Sequence, residues 1–301
     1  MNRIKDQIRC GAAYRLGLTG KGIGVAVLDT GIFLHRDFDS RVTGFADVVN
    51  HRPGPYDDCG HGTHICGIIG GSGRMSGGRY SGIAPGCDLV MVKVLDRKGN
   101  GYSSDVLAGI SWILERKEKL GIRILNISVG ACSKRGMSEN SALVKGVNRA
   151  WDAGLVVVVA AGNNGPRTMS ITTPGISRKV ITVGCSDDDR EELGGGNRMV
   201  DYSGRGPTAA CICKPDLVAP GCSVVSCSSR ADKYTIKSGT SMSTPIVSGA
   251  VALLLERFPD MTNKDVKLRL RESSVAAENP AGMGTVGCGE NDRKIDVEIF
   301  L

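Results

Sequence analysis

The sequence predicts an α/β fold built on a mostly parallel sheet with helices on both faces. Strand-like and helix-like stretches alternate along most of the chain. The strand-like runs are short and apolar nearly throughout, as in VAVL at 25–28, LVMVKVL at 89–95 and LVVVVA at 155–160, the composition of strands buried on both sides. At 301 residues and 41% hydrophobic content the chain can bury a large core, and no linker or repeat divides it. One domain over residues 1–301 is therefore expected, with residues 1–20 as an N-terminal arm in which Tyr14, Leu16 and Leu18 offer apolar contacts.

The first strand, Val25 to Leu28, runs into Asp29, Thr30 and Gly31. An acid at the carboxyl end of a buried strand stands where open α/β sheets place their sites, and an Asp capping the next turn has the same appearance. Glycines 20, 22 and 24 precede this strand instead of following it, which excludes a dinucleotide-binding loop. After a polar loop comes DDCGHGTHICGIIGG, where Ile65, Ile68 and Ile69 predict a helix opening near Gly62. His61 and His64 are three apart, whereas a zincin pair is four apart with a Glu between; one serves as a proton acceptor at the helix entrance and the other is structural.

Residues 72–81, rich in Gly and Ser, form a surface loop before the second strand, Leu89 to Leu95. The turn DRKGNGYSS then opens a helix whose Val106, Leu107, Ile110, Ile113 and Leu114 follow helical spacing. A third strand, Arg123 to Ile127, leads into Ser128, Val129 and Gly130. Ala142, Leu143, Val147 and Trp151 mark another helix, and the fourth strand, Leu155 to Ala160, runs straight into AGNNGP. VITVGCS, PDLVAPG, an apolar helix from Ile246 to Leu255 and a last helix from Thr262 to Glu272, capped by Thr262 with Asp265, continue the alternation.

Ser241, in KSGTSMSTPIVSGA, meets the start of that apolar helix, where a serine is commonly a cap. A hydroxyl becomes a nucleophile only with a base, an orienting acid and an oxyanion donor. Asp29, His61 and Asn163 supply the three types, each at or near a strand end. Nucleophilic acyl transfer follows: His61 takes the Ser241 proton, Asp29 fixes the imidazole tautomer, and Asn163 donates to the oxyanion. The order Asp, His, Ser and the motif G-T-S-M-S exclude the α/β-hydrolase arrangement, which runs Ser, acid, His around G-x-S-x-G. With Ser241 as nucleophile, the capping role falls to Thr244, before Pro245.

The four motifs VAVLDTGI, GHGTH, AAGNNG and SGTSMSTPIVSGA, in this order, resemble the subtilisin-like serine protease family, in character its bacterial intracellular members. The resemblance runs from about residue 15 to the C-terminus. It implies a serine endopeptidase with about seven strands, acting through Asp29, His61 and Ser241 with Asn163 in the oxyanion hole. It further implies a peptide bound as an added strand between Gly99, Asn100 and Gly101 on one side and Ser128, Val129 and Gly130 on the other. The floor for the side chain before the scissile bond would come from residues 160–163 and the neighbourhood of Thr172. No acid stands there, so apolar or uncharged side chains are expected over Lys or Arg. A peptide-binding pseudoprotease and an esterase on the same triad are the competing readings; the intact set of four motifs argues against the first.

Partners and compartment follow from composition. The formal charge of +7 is scattered among acids, which argues against nucleic acid, and no apolar run reaches membrane length. The start MNRIKDQIRC lacks the apolar stretch of a signal peptide. Eleven cysteines, an odd count with no C-x-x-C, read as reduced thiols, and a cytoplasmic protein is expected; the alternative is a secreted one whose signal and pro-domain lie outside this sequence. The substrate is peptide or unfolded protein. The chemistry requires no cofactor. A structural calcium is allowed by the resemblance, in which Asp37 matches a family ligand, but its loop partners are missing, so no metal residue is assigned; backbone carbonyls of residues 172–175 are a second possible ion site. Met242 is expected to sensitise the site to peroxide, Cys59 to confer sensitivity to bulky thiol reagents, and Cys66 to pack in the core.

Overall fold

The computed structural model describes residues 1–130, 139–187, 201–276 and 293–297. Its central sheet contains β1 (Gly24–Asp29), β2 (Val42–Asp47), β3 (Asp88–Lys93), β4 (Ile122–Ile127), β5 (Val156–Ala160), β6 (Ile181–Cys185) and β7 (Leu217–Ala219). These seven strands are parallel, in the order β2-β3-β1-β4-β5-β6-β7. The short pieces β10 (Val275–Ala276) and β11 (Arg293–Lys294) extend the β7 edge, β10 antiparallel, to make nine strands where about seven were expected. A separate antiparallel hairpin pairs β8 (Val224–Cys227) with β9 (Tyr234–Lys237).

Strand alternation explains how the helices come to lie on both faces. Leu28 and Val92 are register partners, and both approach Gly109 of α4 (Ser103–Arg116). Met91, one residue away and therefore on the other face, meets Gly62 of α3 (His61–Gly70). α5 (Ala142–Asp152) packs on α4, and α6 (Thr240–Arg257) packs on α3 and crosses β4 to β7. Residues 246 to 255 of α6 are all buried, and a helix apolar all round belongs in the middle of a large core. Its Ile and Leu side chains join one continuous hydrophobic cluster that reaches from Met1 to Val297.

The remaining helices are α1 (Asn2–Gln7), α2 (Gly11–Arg15) and α7 (Asn263–Glu272). In α7 the expected box is present, Thr262 accepting from the Asp265 N–H and Asp265 accepting from the Thr262 N–H. The arm docks through the expected Tyr14, which packs on the core and donates to the Ile83 carbonyl, and Leu18, and through further residues as well. Ile4 and Ile8 are buried and Arg3 pairs with Asp187 at 2.7 Å, whereas Leu16 is exposed and only Leu18 of the expected leucines is covered.

Three elements lacked a readable pattern. β2 is an edge strand, half-buried and interrupted by Gly44, so neither alternation nor a continuous apolar run marks it. β8 and β9 are four residues each and lie off the main sheet. The α6 boundary also differs from the sequence reading. The helix begins at Thr240, its N-cap is Gly239, and Pro245 lies inside it. Thr244 does not cap: its hydroxyl donates back to the Thr240 carbonyl at 2.8 Å, a bond available only to a residue already within the helix.

Candidate active site

The chain leaves β1 toward one side to build β2 and β3, then returns on the other side as β4. Asp29 ends β1 at this reversal, where open sheets leave a crevice. The acid is fully buried, and the Thr30 N–H donates to its Oδ1 at 2.7 Å. α3 begins with His61, whose Nδ1 lies 2.8 and 2.9 Å from the two Asp29 oxygens. A carboxylate can only accept, so Nδ1 carries the proton and Nε2 presents a lone pair. Burial pushes the imidazole toward the neutral form, but the Asp29 charge and hydrogen bond outweigh it and hold His61 above its ordinary value of 6.5.

Asp57 builds the entrance of α3. Its Oδ1 accepts from the Thr30 hydroxyl and the Cys59 and Gly60 N–H groups, and its Oδ2 accepts from the N–H and hydroxyl of Thr63. The helix thus receives an anion at its N-terminus from outside its own cap position. Thr30 closes the circuit by accepting from the Gly62 N–H, tying the acid's loop to the base's helix. Lys93, fully buried in β3, adds a second tie: its ammonium donates to the carbonyls of Thr30 and Leu95 and to Asp58 at 2.8 Å. In the sequence, Asp57 and Asp58 were only two acids in a polar loop, and Lys93 only an interruption in an apolar run.

Ser241 is the second residue of α6, within the first turn whose N–H groups lack intrahelical acceptors. Its hydroxyl donates to the Ser128 carbonyl at 2.7 Å. Asn163 follows β5, and its amide oxygen accepts from both the N–H and the hydroxyl of Thr240. With the oxygen so occupied, the amide nitrogen faces away from Thr240, alongside Gly239, where a Cβ would come within 3.1 Å of it. Asn126, buried in β4, accepts from Ser248 of α6 and donates to the Ser128 hydroxyl, so the nucleophile's helix and the loop after β4 share one network.

A cavity of about 380 Å³ gathers these groups: His61, Asn163, Thr240 and Ser241 line it with Gly99, Ser128, Val129, Gly130 and the expected floor residues Ala160, Gly162 and Thr172. An adjoining one of about 210 Å³ takes in Gly99, Asn100, Gly101, Val129 and Gly130, with Tyr102, Val106 and Leu143. All ten site residues expected from sequence therefore converge, with Asp29 behind His61. Two of these glycines are required by local packing. A Cβ at Gly101 would meet the Val94 carbonyl at 2.5 Å, and one at Gly130 the Thr172 hydroxyl at 2.2 Å.

A profile described as the subtilase family matches residues 20–289. The chain belongs to the subtilase family. Serine protease AprX of Bacillus subtilis (strain 168) is 43% identical over 290 residues, 91% of this chain and 65% of that protein, so the chain spans about two thirds of it. Subtilisin BL of Lederbergia lenta is 34% identical over 283 residues, 93% of this chain and 94% of the relative. Among solved structures, the S41 psychrophilic protease superposes with a TM-score of 0.76 at 30% identity, covering 93% of this chain and 92% of the other.

His64 is fully buried; its Nε2–H donates to the carbonyls of Val224 and Thr235 at 3.1 and 3.2 Å, and burial pushes its pKa down to about 3. It is a strut between α3 and the β8–β9 hairpin. Cys66 is in the core, Cys59 lines the cavity beside His61, and Met242, directly after Ser241, is buried in the core. Asp37 does not fit calcium. Its oxygens already accept from the Met75 N–H and from the Tyr234 hydroxyl at 2.7 Å, and the groups clustered with it that could ligate a metal are the His35 imidazole and the Cys227 thiol, which are not the oxygen ligands calcium takes.

Proposed function

We propose that the chain is a serine endopeptidase acting on peptide or unfolded protein through Asp29, His61 and Ser241. The doubly hydrogen-bonded Asp29–His61 pair carries this reading, because it leaves Nε2 unprotonated in the cavity that holds Ser241. For attack, the Ser241 hydroxyl exchanges the Ser128 carbonyl for His61 Nε2, which takes its proton as Oγ bonds the substrate carbonyl carbon. The imidazolium is stabilised by Asp29. The oxyanion receives the Asn163 amide and the Ser241 N–H, donors held by the Thr240 contacts and the helix start. His61 then protonates the leaving amine, and water releases the acyl group by the reverse sequence.

Peptide lies as an added strand between residues 99–101 and 128–130, with uncharged or apolar side chains favoured before the cut, since no carboxylate lines the 160–172 floor. A reducing, intracellular setting is supported by the thiols: the nine described cysteines are in no disulfide, and six of them are buried. No described helix is long and apolar enough to cross a membrane. A fluorophosphonate probe tests the assignment. It should label the protein on Ser241 and leave Ser241→Ala unlabelled; an unlabelled parent that still binds peptide would establish the pseudoprotease instead.

A further inference from the structure

The cleft is electrostatically one-sided. Besides His61 and the Cys59 thiol, its ionisable liners among the described residues are Lys98 and Lys237, and no described carboxylate lines it. The acids nearest the catalytic groups are committed elsewhere: Asp29 to His61 and the Thr30 N–H, Asp57 to the α3 entrance, Asp58 to Lys93.

The two lysines are not equivalent. Lys98 is exposed on the 96–100 turn, where Asp96 accepts from its N–H and offsets its charge. Lys237 is half-buried, the last residue of β9, and is held by its register opposite Val224 in the hairpin. Among the described residues no carboxylate forms an ion pair with it. It stands close enough to His61 and His64 to act on both as a like charge. Because His61 hands its proton to the departing amine, the residues beside His61 are those that meet the leaving-group side of the substrate.

We propose that Lys237 selects peptides carrying an acidic side chain just after the scissile bond. The proposal rests on the endopeptidase reading above and names the substrate class of that site. A carboxylate there gains an ammonium that no described carboxylate pairs, in a partly desolvated cleft, whereas a Lys or Arg at the same place meets its repulsion with no described acid among the liners to relieve it.

The test uses internally quenched peptides identical up to the cut, with Glu, Gln or Lys at the first or second position after it, and product masses to locate the bond. Expected kcat/KM falls from Glu through Gln to Lys by roughly tenfold overall, the scale of a favourable, partly buried charge pair. Lys237→Gln should flatten that order and Lys237→Glu invert it, while Lys98→Gln should leave it standing. The spread should shrink as salt is raised, since the cleft is open to solvent. An unchanged order in a Lys237→Glu protein that still cleaves would overturn this proposal alone, as would loss of the order in Lys98→Gln. If the parent protein cleaves none of the peptides, both this proposal and the endopeptidase reading fall.

Discussion

His61 and His64 are one helical turn apart at the start of α3 and share the same chemistry, yet the fold drives them in opposite directions. His61 stands partly exposed against a buried carboxylate, and its protonated form is favoured despite burial. His64 is sealed between α3 and the β8–β9 hairpin, donates to two carbonyls and is pushed down to about 3 because no acid offsets its desolvation. The lesson is that a histidine's role follows from what faces its two nitrogens. One carboxylate on Nδ1 makes a base; two carbonyls on Nε2 make a strut.

His61→Ala, or Ser241→Ala, should lower turnover by ~10⁶, the figure measured for the corresponding triad changes in subtilisin. Single-turnover assays on active-site-titrated protein would check it, and a loss of less than a hundredfold would remove His61 from the chemistry. Asn163→Ala should cost about 10² to 10³ in kcat with little change in KM, because its amide meets the oxyanion more strongly than the ground-state carbonyl.

Change at the strut should be read in stability instead. His64→Ala removes the ring's two hydrogen bonds to the Val224 and Thr235 carbonyls and opens a void beside the hairpin, for an expected loss of about 3 kcal/mol in urea unfolding. Unfolding that is unchanged within error would show that the hairpin does not depend on this contact.

Titration sharpens the same contrast. With His61 raised above 6.5, the acid limb of kcat/KM should have its midpoint above 6.5, since only the neutral imidazole accepts the Ser241 proton. The stabilisation from that pair is full below 6.5 and lost as pH rises through the raised folded value. His64 acts with the opposite sign. Its folded value lies below its unfolded one, so its contribution is full above 6.5 and falls away as pH drops from there toward about 3. Urea midpoints across that window should show the decline, and the slope should be shallower in a foldable His64→Gln protein.

Much of the fold was legible because its strands are buried on both faces and its helices obey a 3.6-residue period, signals that are local in sequence. β1, β3, β4, β5 and α3 to α5 lie within a residue or two of where patterning puts them. The start of α6 was misplaced because Pro245 was read as a boundary. It is tolerated inside the helix, where the small residues Thr240 to Thr244 hydrogen-bond to groups outside the helix and back to its own carbonyls. The triad types were legible from motif and order. Asp57, Lys93 and Asn126 were not, because each acts by joining segments distant along the chain, and nothing in the immediate neighbourhood of an Asp in a loop or a Lys in an apolar run marks such a partner.

Sequence alone determined the parallel α/β class, the four chemical groups Asp29, His61, Asn163 and Ser241, and the chemistry they can perform together, since composition, period and residue type are local properties. Tertiary structure alone decided what holds each histidine in its role, which way the Asn163 amide points, and which lysine stands in the cleft without a described carboxylate partner. Burial and hydrogen-bond partners set those outcomes, and both are properties of segments that meet only when the chain is folded.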